Sequence, residues 1–148
     1  MANSPRSISE FQSARTFQLW DYCVSHSQLL IRSPKSPGEV EEPAYNLDLM
    51  FLYVRYLGVR STLRGIRVYE ATDVEADSLA PLRGTDDGVF IIESEGKRNH
   101  IVASGLAVMR TTSDIFESSL VLHWSPVDGE SERYRELYLS DYVLLRHY

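Results

Sequence analysis

The sequence predicts a mainly β fold: a single-domain antiparallel sandwich or partly closed barrel with one or two short helices. Three observations predict it. Runs of alternating apolar and polar side chains recur along the chain, turns rich in Gly, Pro, Asn, Asp or Ser separate them, and helix start signals are few. The 148 residues, 43% of them hydrophobic, suffice for the core of one domain spanning 1–148.

The N-terminal arm, residues 1–15, carries the first helix signal. Ser7 and Glu10 have the S-x-x-E spacing of a capping box, in which each side chain satisfies a free backbone amide of the other. This spacing predicts a short helix over residues 8–14.

The other elements follow from the same patterns. Residues 33–45 hold three of the six prolines and are predicted to form a solvated loop, and residues 57–65 read as turn-like. A second capping spacing, Thr72 and Glu75, predicts a helix over residues 74–80. Strands are predicted at residues 16–24, 28–32, 46–56, 66–71, 89–93, 100–110, 116–124, 133–139 and 142–147, with a Gly-containing hairpin turn at 95–98.

The predicted core consists of bulky side chains at alternating positions of these strands. They are Leu19, Trp20, Leu30, Leu49, Phe51, Val68, Phe90, Ile92, Val102, Val108, Leu120, Leu122, Trp124 and Leu139.

The net charge of −6 is unevenly spread. Residues 1–74 carry eight basic and eight acidic side chains, whereas residues 75–148 carry seven basic and thirteen acidic ones. A chain that binds polyanions generally has a basic excess, so nucleic acid and anionic membranes are disfavoured as partners. The apolar runs are far shorter than a membrane span, and the first sixteen residues are polar. With a lone Cys23, predicted to be a buried structural thiol, this indicates a cytoplasmic protein that is not bound to a membrane.

No motif in the sequence identifies a reaction. Phosphate-binding glycine loops are absent, the four histidines lack metal-ligand spacing, and the adjacent carboxylates Asp86 and Asp87 stand in a turn, where their side chains point apart. The sequence therefore favours a non-enzymatic protein with no catalytic residues, metal or cofactor.

Two charged segments are candidate protein-binding sites, and they imply partners of opposite charge. An acidic cluster, which suits a basic partner, consists of Asp128, Glu130, Glu132 and Glu136. The alternative segment interleaves arginine with tyrosine, as protein interfaces often do, and consists of Tyr53, Arg55, Tyr56, Arg60, Arg64 and Arg67. Nearby Glu70 and the acidic run at 39–42 could instead neutralise these arginines within the domain.

Two functions remain open at this point. The charge and tyrosine content favour a module that binds another protein, such as an acidic inhibitor or immunity-type protein masking a basic partner. The alternative is a small-ligand-binding β-barrel with Trp20 or Trp124 lining an aromatic cavity. The sequence predicts no oligomeric state.

Overall fold

The computed structural model describes residues 6–7, 9–35, 45–82, 84, 87–111 and 143–146 and is mainly β, as predicted. Its strands are β1 (Arg6–Ser7), β2 (Glu10–Cys23), β3 (Gln28–Ser33), β4 (Asn46–Leu52), β5 (Tyr56–Gly58), β6 (Thr62–Glu70), β7 (Gly88–Ser94), β8 (Lys97–Ala103), β9 (Gly105–Thr111) and β10 (Val143–Arg146). Helix α1 spans Asp73–Asp77, and 3-10 turns span Val24–His26 and Ala80–Leu82.

The strands form one sheet in the order β1, β10, β9, β4, β3, β2, β6, β7, β8, β5. Neighbouring strands are antiparallel except β1 and β10, which are parallel. The hydrogen-bonded ladder is not closed, and β5 is its last strand on one side. Sandwich and partly open barrel are both consistent with this arrangement.

Two short connections along the chain join the β9–β4 pair to the β8–β5 pair at the other side of the sheet. Only Ser104 separates β8 from β9, and only residues 53–55 separate β4 from β5. Leu52 pairs with Gly105 and Tyr56 pairs with Val102. The β4–β5 side therefore has one residue more than the β8–β9 side between these two pairs, as in a β-bulge. The Ser104 N–H donates to the Leu52 carbonyl at 2.9 Å. β4–β5 and β8–β9 therefore form one long bulged ribbon, and the sheet curls round to meet it.

The interior is filled by one apolar cluster to which β2, β3, β4, β6, β7, β8 and β9 all contribute. Its largest fully buried members include Phe17, Leu49, Phe51, Leu63, Phe90, Ile92, Ile101 and Leu106. The rings of Phe51 and Phe90 meet edge to face, with centroids 5.7 Å apart.

The core prediction is confirmed for Leu30, Leu49, Phe51, Val68, Phe90, Ile92, Val102 and Val108, which are all buried. Leu19 is only partly buried but packs against the central cluster. The prediction is wrong for Trp20, which is half-buried because a register shift in β2 follows Leu19 and interrupts the strict alternation. Leu120, Leu122, Trp124 and Leu139 lie outside the described residues.

Strands β3, β4 and β9 are buried on both faces. The side chains next to Met50 and Met109 along their strands face the central cluster, so these two methionines lie on the opposite, outer face. They are nevertheless buried. The same outer face holds a bidentate ion pair between Arg32 and Asp48, directly opposite each other and both fully buried. The guanidinium carbon of Arg32 lies 5.6 Å from the centre of the Trp20 ring.

The predicted helix over residues 8–14 is wrong, because residues 10–14 belong to β2. Phe11 pairs with Val68 and Ser13 pairs with Ile66 on β6. A seven-residue helix is marginal alone, whereas the extended strand gains a whole neighbouring strand of hydrogen bonds and a partly buried Phe11.

The second predicted helix is confirmed but shorter, as α1. Thr72 makes no side-chain cap there, and Glu75 instead accepts a hydrogen bond from Arg98 at 3.0 Å. Ala76 of α1 packs in a small outer cluster with Val89 and Val102.

The turn-like interpretation of residues 57–65 is wrong for most of its length, because the segment contains the end of β5 and the start of β6. Residues 59–61 connect these two strands, and within β6 Gly65 has φ +66°, opposite the register shift between Ser13 and Thr16. A left-handed glycine in a bulge lets the strand continue, so alternation resumes on both sides.

Candidate functional site

Exposed large hydrophobic side chains concentrate at one end of the sheet. Seven such side chains are found among the described residues, and five of them lie on two neighbouring segments, the end of β2 with the 3-10 turn that follows it and residues 53–57. We call these five the tyrosine rim: Tyr22, Val24, Tyr53, Tyr56 and Leu57. Single exposed apolar side chains are ordinary, whereas a cluster of them often marks an interaction surface.

The backbone of the two segments holds the rim together. The 3-10 turn after β2 ends at Ser27, and the Ser27 carbonyl accepts the Val54 N–H at 2.8 Å. Ser27 and Tyr53 both have left-handed backbones, with φ +50° and +52°. Non-glycine residues adopt that conformation uncommonly, and the surrounding contacts must hold them there. The Arg55 N–H then donates to the Val102 carbonyl at 2.8 Å, which directs β5 towards β8.

An open groove of about 230 Å³ lies within the rim. It is lined by Tyr22, Val54, Arg55, Tyr56 and Leu57. Sites for drug-sized ligands usually measure ~300–1,000 Å³ and enclose most of the ligand. A smaller, open groove of this kind suits a side chain presented by another polypeptide.

Among the described residues that line the groove, Arg55 alone is charged, and a buried carboxylate fixes its position. Its Nε forms an ion pair with Oδ2 of Asp87, whose side chain is 4% exposed while that of Arg55 is 59% exposed. The same Asp87 oxygen accepts the Gly84 N–H at 2.6 Å. A Cβ on Gly84 would lie 2.7 Å from that oxygen and 2.9 Å from Arg55 Nε, so the pair fits only against a glycine. A buried carboxylate thus fixes the orientation of an exposed guanidinium.

A second groove, of about 410 Å³, lies at the β7–β8 hairpin and is lined mainly by charged side chains. Arg67 pairs with Glu10 and Glu93, and Arg98 pairs with Glu75 and Glu93. Opposite charges are matched across this groove, which is typical of a solvated ion-pair network that contributes modestly to stability.

Glu93 is the centre of that network, and its ionisation is coupled to Tyr69. Burial works against the charged form of Glu93, but hydrogen bonds from the Tyr69 hydroxyl at 3.0 Å and from Arg67 outweigh it and lower its pKa. Burial, together with the carboxylate of Glu93, raises the pKa of Tyr69.

The structure separates the arginine and tyrosine segment predicted from sequence. Tyr53, Arg55 and Tyr56 come together at the tyrosine rim. Arg64 and Arg67 instead line the charged groove. The predicted neutralisation within the domain holds for Arg67 through Glu10 and Glu93 rather than Glu70, and for Arg55 through Asp87.

The remaining member of that segment, Arg60, is exposed, and its backbone N–H donates to Asn99 Oδ1 at 2.9 Å. The acidic candidates Asp128, Glu130, Glu132 and Glu136 lie outside the described residues, so the acidic face stays a prediction.

Sequence reasoning missed five contributors to the rim and groove: Tyr22, Val24, Val54, Leu57 and Asp87. Asp87 was expected to stand in a turn with its side chain pointing away from that of Asp86, and no partner was predicted for it, whereas it is buried and pairs with Arg55. The available signal was the position of Tyr22 and Val24 directly before the Ser25-His26-Ser27 break, where bulky side chains at a strand end face the solvent.

Cys23, next to the rim, is half-buried and not the buried thiol that was predicted. Its sulfur lies 3.2 Å from the Ser25 hydroxyl oxygen, and this contact holds the pKa of the thiol below its ordinary value. Within the described residues, no group of three or more His, Cys, Asp or Glu side chains could hold a metal ion. The described part of the chain also contains no helix long and apolar enough to cross a membrane.

Comparison of the chain with protein-family models, with curated proteins and with solved structures gives no match.

Proposed function

We propose that this domain is a protein-binding module and that the tyrosine rim, with its groove, is the docking surface. One observation carries the proposal: five of the seven exposed large hydrophobic side chains of the described residues lie on the two segments at this groove, three of them line it, and the groove also presents an oriented arginine. Tyrosine and arginine are enriched among the residues that dominate binding energy at protein interfaces.

The left-handed turns support the same proposal. A surface whose backbone is held in one conformation loses little conformational freedom when a partner binds, which favours affinity. Val54 and Arg55 are both fixed by backbone hydrogen bonds to neighbouring segments, so the groove exists before any partner arrives.

The alternative function, a ligand-binding barrel, has less support. Large apolar side chains from seven strands fill the described interior, and Trp20 packs against Arg32 on the outer face instead of lining a cavity. An inhibitor or immunity-type role against a basic partner depends on the acidic face and stays a hypothesis, as does the cytoplasmic location.

Site-specific photo-crosslinking in the native host tests the proposal. A photoreactive phenylalanine analogue replaces Tyr53 on the rim or, as a control, Lys97 at the opposite end of β8, ~15 Å along the strand from Val102. We expect a crosslinked protein from position 53 that is absent from position 97. Identical products from both positions would contradict the proposal.

The crosslinked protein is then purified and titrated calorimetrically. We expect Leu57→Asp to weaken binding at least about tenfold, because it places an unpaired charge where an apolar contact forms. Lys97→Asp is the matched control and leaves the affinity unchanged. Circular dichroism verifies that both variants fold, and equal affinities for wild type and Leu57→Asp would refute docking at the rim.

A further inference from the structure

The guanidinium of Arg55 has hydrogen-bonding capacity left over. Its Nε forms an ion pair with Oδ2 of Asp87. A guanidinium carries five N–H donors, and even a bidentate carboxylate takes only two of them, so donors on the terminal nitrogens remain for another acceptor. The side chain is 59% exposed and lines the groove, which makes these donors accessible to whatever occupies it.

The other walls of the groove are apolar or aromatic. Tyr22, Val54, Tyr56 and Leu57 surround the space, and none of the described residues that line it is a carboxylate. An occupant therefore meets an apolar and aromatic surface on most sides and one set of directed donors at Arg55. The chemistry that satisfies both is an apolar side chain with an oxygen acceptor next to it.

We propose that the groove binds a polypeptide segment in which an acidic side chain stands next to a large apolar one. The apolar side chain fills the space between Tyr22 and Leu57, and the carboxylate accepts hydrogen bonds from the terminal nitrogens of Arg55. This inference rests on the proposed function and specifies the chemistry of its partner.

A carboxylate is favoured over a neutral carbonyl because hydrogen bonds between ionised groups are roughly twice as strong as neutral ones. Arginine also presents paired donors that match the two oxygens of a carboxylate. Asp87 already balances the charge of Arg55, so the contact depends on these directed hydrogen bonds and not on a net positive field, in a chain whose overall charge is −6.

The shape of the groove favours an internal segment of the partner. The groove is open, so a polypeptide chain can enter and leave it.

The test is a titration of the ¹⁵N-labelled protein, followed by NMR, with two blocked dipeptides, N-acetyl-Asp-Phe-amide and N-acetyl-Asn-Phe-amide. We expect the Asp peptide to shift the amides of Val54, Tyr56 and Leu57 at millimolar concentration. We also expect it to bind roughly five- to tenfold more tightly than the Asn peptide, which has the same shape without the charge.

Two arginine variants and a control complete the test. Arg55→Lys keeps a cation beside Asp87 but removes the fork of donors, so the preference for the Asp peptide should fall towards one. Arg55→Met, once thermal unfolding has verified that it folds, should likewise lose the preference for the Asp peptide. Arg64→Met, which removes an exposed arginine of the charged groove, should leave the preference intact.

Equal affinity of wild type for the two peptides would overturn this inference while leaving the proposed function standing. Absence of shifts in the groove amides with either peptide would also overturn it. The proposed function fails separately, through the crosslinking and the Leu57→Asp titration.

Discussion

The buried pair of Arg32 and Asp48 gives the sharpest test of the energetics of this fold. Nε lies 2.7 Å from Oδ1, Nη2 lies 2.9 Å from Oδ2, and both side chains are 0% exposed. Arg32→Met leaves the Asp48 carboxylate in a site without solvent. Breaking a buried pair by removing one partner costs about 3–5 kcal/mol, because the remaining charge is uncompensated. For a chain of this size that corresponds to a fall in Tm of about 10–20 °C.

The matched control is an ion pair of the same type at the surface. Arg64 and Glu95 lie 4.0 Å apart, with side chains 75% and 51% exposed. Arg64→Met should change the free energy of unfolding by only about 0–1 kcal/mol, because water solvates the remaining carboxylate. The same substitution thus has two expected outcomes, because the two ion pairs differ in burial and in hydrogen-bond geometry.

A double variant completes the cycle. Arg32→Met combined with Asp48→Leu removes both charges, so it should be more stable than either single variant. Both residues make further polar contacts, so we expect the recovery to be incomplete. Urea unfolding followed by tryptophan fluorescence and far-UV circular dichroism gives the free energies. A cost below about 1 kcal/mol for Arg32→Met, equal to that of Arg64→Met, would refute the reasoning.

Three further predictions follow from the core, the ion-pair network and the hairpin turn. Phe51→Ala should cost about 3–5 kcal/mol in urea unfolding, because it removes a fully buried ring and its edge contact with Phe90; an unchanged midpoint would contradict this. Glu93→Gln should lower stability near neutral pH. Folding lowers the pKa of Glu93, so its contribution to stability is present above the unfolded pKa of about 4.3 and is lost as pH falls through the folded pKa. The unfolding free energies of wild type and Glu93→Gln should therefore converge in acid. A difference that stays constant with pH would contradict this. Gly96→Ala should lower the free energy of unfolding by about 1–2 kcal/mol, measured by thermal unfolding, because Gly96 has φ +73°. An added Cβ would contact no other atom, so backbone strain is the expected cause. Unchanged stability would show that the turn relaxes.

Much of the fold could be predicted because local alternation of side chains encodes strands. The hairpin at Glu95 and Gly96 was predicted from composition, and it forms with both residues in left-handed conformations. The helix predicted near Ser7 and Glu10 failed because a capping pattern reports only local preference, and pairing with β6 outweighs it.

The site could be predicted only in part, because it depends on contacts between distant segments. Tyr53, Arg55 and Tyr56 stood out by residue type. The partner that orients Arg55 is thirty-two positions away at Asp87, and Tyr22 comes from another strand. Nor does periodicity show that Arg32 and Asp48 face each other in register, since that follows from how β3 pairs with β4.

The ribbon formed by β4–β5 and β8–β9 also bears on the order in which the chain acquires its shape. Its two arms are separated by roughly fifty residues, so pairing Leu52 with Gly105 closes a long loop, whereas the β2–β3 and β7–β8 hairpins are local. Long-range pairing of this kind slows folding and is expected after the hairpins have formed. The groove lies where this late pairing ends, so a newly made chain should be unable to recognise a partner until its last long-range contacts are in place. Recognition at the groove would then report that the molecule is fully folded.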